Sequence, residues 1–151
     1  MKKLIIFVIL VSFLGSGCEV SASEPVVKTG IEVLRDRDFR GLLGKRVGLV
    51  TNPSGVDRML NSTIDILYNA PGVELVALYG PEHGVRGDVY AGDKVTDATD
   101  EKTGLPVYSI YGSTRKPTKE MLKGIDVMVY DIQDVGVRSY TCISSLGHVM
   151  E

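Results

Sequence analysis

The chain of 151 residues has no tryptophan, two cysteines and two histidines. Each shortage removes a class of explanation. Two cysteines cannot build the disulfide framework of a small secreted module. Cys18 lies in the leading segment, so the folded part is expected to hold no internal disulfide. Cys142, in an apolar stretch, reads as a small buried side chain. The histidines, His83 and His148, are too few for a histidine-based catalytic zinc site. The spacing of His83 with Glu82 and Asp131 matches no metal motif, so no metal is expected. Charge is nearly balanced, with 17 basic against 19 acidic residues and no basic stripe, which argues against a nucleic-acid partner. After the first predicted strand the residues are Thr51-Asn52-Pro53-Ser54-Gly55-Val56, not the Gly-x-Gly-x-x-Gly of a dinucleotide site. There is no Walker A sequence either, so neither nucleotide is expected, nor any other cofactor. Ser54 lacks the Gly-x-Ser-x-Gly elbow of a hydrolase nucleophile. The remaining composition, 44% hydrophobic and 24% charged, suits one globular domain with a real core. Seven tyrosines offer polar aromatic edges suited to sugars or to ordinary packing.

Long hydrophobic runs are also missing. The only extended one, Leu4 to Leu14, follows Met1-Lys2-Lys3 and is too short for a typical membrane-spanning helix. Residues 1–22 therefore read as a signal peptide, and the protein is expected to be exported. Three outcomes fit the pattern. Val20-Ser21-Ala22 suits cleavage before Ser23. Leu14-Gly15-Ser16-Gly17-Cys18 resembles a lipoprotein box, with Gly15 where an aliphatic residue is usual, and would lipidate Cys18. An uncleaved anchor is the third. Residues 23–29 form a polar, proline-containing linker.

From residue 30 onward, apolar runs alternate with helical patterns. Helical spacing covers Thr29 to Leu43, and Gly44 is its stop. Arg46 to Thr51 reads as a buried strand. Ser62 to Ala70 reads as a helix capped by Ser62 or Asn61 and closed by Pro71-Gly72. Val73 to Tyr79 is a second strand and Leu105 to Tyr111 a third. A helix is expected to start at Pro117 and end at Gly124. Ile125 to Asp131 is a fourth strand, and a helix starts near Tyr140. That helix shows no stop signal before Glu151, so the chain reads as the N-terminal part of a longer protein. Alternation of this kind predicts an α/β fold with an open, mostly parallel sheet and flanking helices.

In such sheets ligands bind beyond the carboxyl ends of the strands. The polar clusters fall there: Asn52 and Ser54 after the first strand, Glu82 and His83 after the second, Ser109 and Tyr111 at the third. Asp131, Gln133, Asp134, Arg138 and Tyr140 follow the fourth. Gly80 to Gly104 is a loop long enough to suggest function. At its start, Gly80-Pro81-Glu82-His83-Gly84 puts a proline and two glycines around Glu82, setting it on a stiff shelf. A carboxylic acid there is a candidate general acid, or else a loop glutamate that caps a helix or pairs with Arg86. Asp88, Asp131 and Asp134 are candidate second carboxylates for a glycosidase. The plainer readings have Asp131 capping the next turn and Asp134 pairing with Arg138. His83 reads as a hydrogen-bond donor, His148 as structural, and Asn52 and Ser54 as hydrogen-bonding groups or simple turn formers.

Three segments together resemble the exo-β-N-acetylmuramidase (NamZ) family, formerly classed as a domain of unknown function. They are Gly48 to Gly55, Gly80 to Gly87, and Tyr130 to Thr141. The resemblance runs from about Gly30 to Glu151. It implies a Rossmann-like N-terminal domain over residues 30–151 and a C-terminal domain that this chain lacks, with the active site in the cleft between them. The implied activity is exo-hydrolysis that releases N-acetylmuramic acid from the non-reducing ends of peptidoglycan fragments. It puts the catalytic glutamate at Glu82, with His83 and Asp131 beside it. Asn52, Ser54, Gln133, Arg138 and Tyr140 fall on motif positions as cleft residues, and together with Arg86 and Asp134 they are the expected substrate-binding residues. Arg138 would suit the lactyl carboxylate of muramic acid. A non-catalytic, cell-wall saccharide-binding lipoprotein on the same scaffold is the alternative expectation.

Overall fold

The computed structural model describes residues 27–90 and 96–151. The expected signal peptide, Cys18 and most of the expected linker lie outside the described residues. Eight elements follow in order: α1 (Gly30–Asp36), β1 (Arg46–Thr51), α2 (Thr63–Tyr68), β2 (Glu74–Gly80), β3 (Ala98–Thr99), β4 (Pro106–Ser109), β5 (Val127–Asp131) and α3 (Cys142–Met150). The strands form one sheet in the order β3-β4-β2-β1-β5. β1 pairs in parallel with both β2 and β5, and β2 pairs in parallel with β4. This is the expected α/β, mostly parallel, Rossmann-like sheet with flanking helices.

The strand order locates a crevice. The chain builds outward from β1 through β2 to β4, then returns to the other side of β1 as β5. The helices α2, after β1, and α3, after β5, lie on opposite faces of the sheet, and in open α/β sheets that switch point is where ligands bind.

Side-chain alternation along β1 assigns the two faces. Val47 and Leu49, both fully buried, join Ile31, Phe39, Ile64 and Leu67 in the core beneath α1 and α2. Val50 faces the other way, with Ala77, Tyr79 and Ile110, and Met128, Tyr130 and Val149 pack against them. Gly48 lies between. A Cβ there would stand 2.6 Å from Met128 Sδ and 2.9 Å from Tyr79 Cε2, so the absent side chain is what lets those two large residues meet.

Two expected elements differ and one unexpected element appears, each for a physical reason. The first helix ends at Asp36 rather than Leu43. Asp38 and Phe39 take positive φ (53° and 54°), and Phe39 N–H bonds back to Leu34 O at 2.9 Å. That reversal drives Phe39 and Leu42 into the core, and their burial outweighs further helical turns. The helix expected after Pro117 is a set of turns. Its one i→i−4 bond, Leu122 N–H to Thr118 O, is too little to propagate a helix. Tyr79 OH instead takes the Met121 carbonyl at 2.6 Å. Finally, β3 was not expected. It arises inside the long loop and pairs antiparallel with β4, Ala98 opposite Val107. Two exposed residues carry no alternation to read. Residues 91–95 of that loop lie outside the described residues.

Candidate active site

A cavity of about 390 Å³ opens at the switch point, within the usual range for small-ligand sites. It is lined from three loops: Asn52 and Ser54 after β1, Pro81, Glu82 and His83 after β2, and Gln133, Val135, Ser139, Tyr140, Thr141 and Cys142 after β5.

The β1 and β5 loops are tied to each other. Asn52 Oδ1 accepts from Ser54 N–H at 2.9 Å and from Ser54 Oγ at 2.6 Å. Ser54 Oγ in turn accepts from Gln133 N–H at 2.9 Å. Because Asn52 Oδ1 takes both bonds, the amide NH₂ is the end of Asn52 left for another partner. Gly55 closes this turn against β5. A Cβ there would meet Thr51 Oγ1 and would lie 2.7 Å from the Asp131 carbonyl.

The β2 loop is held as tightly. His83 sits at φ 72°, unusual for a residue with a side chain and typical of sites where surrounding contacts impose the backbone. Gly87, at φ 80°, lies against Pro53 of the β1 loop, where a Cβ would come within 2.7 Å of the ring. Glu82 is half-buried, and its Oε1 accepts from Tyr111 OH at 2.9 Å. That bond to the carboxylate, followed by burial, raises the Tyr111 pKa above its ordinary 10.0. His83 Nδ1 lies 3.3 Å from the Val89 carbonyl.

Six of the sequence-predicted residues line the cavity: Asn52, Ser54, Glu82, His83, Gln133 and Tyr140. The other four do not. Arg86 was read as a substrate ligand, or as Glu82's partner, but its guanidinium is occupied elsewhere. It bonds Asp100 through Nε and Nη2, the latter at 3.0 Å, and reaches Asp65 on α2 at 3.0 Å. This clamp fastens the Glu82 loop to α2 and to the segment after β3. Arg86 holds the Asp100 carboxyl down at about 2, against burial acting the other way. Asp131 directs its carboxylate to the Thr63 hydroxyl at the start of α2, away from the lining. Asp134 accepts from Gly136 N–H at 2.6 Å within its own turn. Arg138 is exposed and forms no ion pair among the described residues, so the expected Asp134–Arg138 pair is absent there.

Sequence reading left out contributors on both sides of Glu82. Tyr111 was placed in the polar cluster that ends the third strand but was given no role at Glu82. Cys142, expected in the core, is half-buried and faces the cavity, where burial pushes its thiol pKa up. The signal was available for Cys142, because Tyr140-Thr141-Cys142 directly continues the cluster after β5. Among the described residues no three of His, Cys, Asp and Glu gather as metal ligands.

Residues 47–151 match the family model described as exo-beta-N-acetylmuramidase NamZ, N-terminal. The chain belongs to that family. It is 56% identical over 131 residues to the peptidoglycan beta-N-acetylmuramidase NamZ of Bacillus subtilis (strain 168), an alignment that covers 87% of this chain and 32% of that protein. A DUF1343 family protein of Bacteroides fragilis NCTC 9343, known from its crystal structure, superposes with a TM-score of 0.75 at 66% identity, over 83% of this chain and 32% of its own. A second DUF1343 family protein from that organism gives 0.67 at 32% identity, over 83% and 31%. The chain thus spans about a third of the length of the relatives it matches. The family's first matched strand is β1, and the match takes in every cavity-lining residue.

Proposed function

We propose that this chain supplies the Rossmann-like, catalytic-glutamate half of an exported exo-β-N-acetylmuramidase, which releases N-acetylmuramic acid from the non-reducing ends of peptidoglycan fragments. The observation that carries the reading is Glu82, held by Tyr111 at the rim of a switch-point cavity in a chain of this family. The Bacillus subtilis relative's name supplies the substrate class. In this reading residues 30–151 form one wall of the cleft, and a C-terminal domain forms the other. The pattern over residues 1–22 supports export, either free or anchored through Cys18.

Glu82 is the only carboxylate among the described lining residues. It serves as general acid: its proton passes to the glycosidic oxygen as the C1–O bond breaks. Asp131 and Asp134 are engaged by Thr63 and Gly136, so neither is placed to activate water. The substrate's own acetamido oxygen then attacks C1, an accepted exception to the two-carboxylate rule. Water opens the resulting ring, returning its proton to Glu82. Asn52 and Gln133 offer amide donors to the sugar, and exposed Arg138 pairs with the lactyl carboxylate.

A chromogenic N-acetylmuramic acid glycoside tests this. Glu82→Gln is expected to lower turnover by about 100-fold or more, the usual range for a positioned acid. Unchanged turnover removes Glu82 from the role. Muropeptide binding by the wild-type protein without release of N-acetylmuramic acid would favour a saccharide-binding protein instead.

A further inference from the structure

We infer that Tyr111 is the positioning residue for Glu82: it fixes one carboxylate oxygen so that the other is presented to the cavity. This rests on the hydrolase reading above and adds a residue to it.

The backbone delivers Tyr111 to Glu82 by register. β2 and β4 pair in parallel up to Gly80 opposite Ser109. The ladder continues one step further, with Ile110 N–H bonding Gly80 O at 2.9 Å. The residue after Ile110 is thereby carried alongside Pro81 and Glu82. Ser109 then fixes the exit of the chain. Its Oγ accepts from Tyr111 N–H at 3.4 Å and donates to Tyr111 O at 3.3 Å, while its own N–H bonds Asp97 Oδ1 at 2.8 Å.

The choice of acceptor distinguishes this tyrosine. Tyr79 OH and Tyr130 OH both end on backbone carbonyls, of Met121 and Cys142, each at 2.6 Å. Those bonds satisfy phenols at the edge of the core, and burial pushes both pKa values to about 12. Tyr111 OH alone among the described tyrosines donates to a carboxylate. Tyr111 does not itself line the cavity, so it holds Glu82 from behind without touching what the cavity binds. A carboxylate with Oε1 fixed by a phenol on a laddered segment has one rotamer to offer, which is the preorganisation that proton transfer rewards. The charges that bear on the phenol are the carboxylate of Glu82 and, acting oppositely, the guanidinium of Arg115.

Two readouts test the assignment separately. In protein labelled with ¹³C at tyrosine Cζ, Tyr111→Phe identifies the Tyr111 resonance. That phenol is expected to ionise above 10.0. Glu82→Gln, which removes the charge facing it, should bring it back toward the ordinary value. Indifference to Glu82→Gln overturns the pairing. In kinetics, Tyr111→Phe should lower kcat about tenfold to a hundredfold, with KM moving less than about threefold. A wild-type kcat overturns the positioning role, and so does a loss confined to KM. If the wild-type protein hydrolyses no muramic acid glycoside, the hydrolase reading fails. The resonance then decides the Tyr111–Glu82 pairing by itself.

Discussion

Replacing Arg86 with methionine should unfasten the Glu82 loop, and the size of the effect follows from its two partners. The Arg86 side chain is 28% exposed, Asp65 24% and Asp100 only 4%. Arg86→Met keeps much of the aliphatic stem and leaves Asp100 charged and buried at neutral pH. Asp100 sits at about 2 instead of 3.8, chiefly because of Arg86. At about 1.4 kcal/mol per pH unit, that is about 2.5 kcal/mol. The Asp65 bond adds less, since Lys102 still reaches that carboxylate. The expected loss is about 3 kcal/mol, at the low end for breaking a buried pair from one side. Urea unfolding at neutral pH should show the midpoint falling by about 1–3 M.

Two further arms separate the clamp from mere lost packing. In the double variant Arg86→Met with Asp100→Asn no uncompensated charge remains at Asp100, so about 1–2 kcal/mol should return. The deficit of the single variant should also shrink as pH falls through about 2, where Asp100 takes up its proton in the folded protein. A midpoint within about 0.3 M of wild type at neutral pH would refute the reasoning. A deficit equally large in acid would mean that Arg86 acts through its stem and not its charge.

Acid should destabilise the fold over a defined window. Glu32, bonded by Arg58 and Thr29, is lowered from 4.5 to about 2, and Asp100 from 3.8 to about 2. Both are depressed in the folded state, so their contribution is complete above the unfolded values and lost as pH falls through the folded ones; a thermal midpoint that is flat between 4.5 and 2 would contradict this. Gly55→Ala places a methyl against Thr51 Oγ1 and 2.7 Å from the Asp131 backbone carbonyl, neither of which can move without parting β1 from β5. It should cost about 1–3 kcal/mol in chemical denaturation and weaken saccharide binding as well, and wild-type stability would show that the turn relaxes freely.

Most of the sheet was legible because its strands are short apolar runs between glycine and proline signals. β1 was read with its observed ends, and β2 and β5 came within two residues of theirs. Local signals failed where a distant group competed for the backbone. Phe39 leaves its helix to reach a core assembled from β1 and α2, and Tyr79 takes a carbonyl that a helix after Pro117 would have used. Neither competitor is near in sequence. β3 exists only because β4 offers an edge to a passing loop.

The site divides along the same line. That the β1, β2 and β5 loops converge follows from strand polarity, and all three do line the cavity. Which way each charged side chain turns does not follow from polarity. Asp131 stands at the end of a central strand's neighbour, the position that the sheet rule favours, yet a threonine at the start of α2 takes its carboxylate. Arg86 is four residues from Glu82 and points to carboxylates fourteen and twenty-one residues away. These diversions have a chemical consequence. With Asp131, Asp134 and Arg86 drawn into structural bonds, the cavity lining among the described residues carries a single carboxylate, and that carboxylate has a phenol behind it. A mechanism needing two carboxylates would have to find the second outside this lining, whereas one assisted by the substrate's acetamido group needs from it only Glu82. The two make opposite demands on substrate. Replacing the N-acetyl group of the muramic acid glycoside with a free hydroxyl should abolish turnover under acetamido assistance, and leave much of it intact if a second carboxylate activates water.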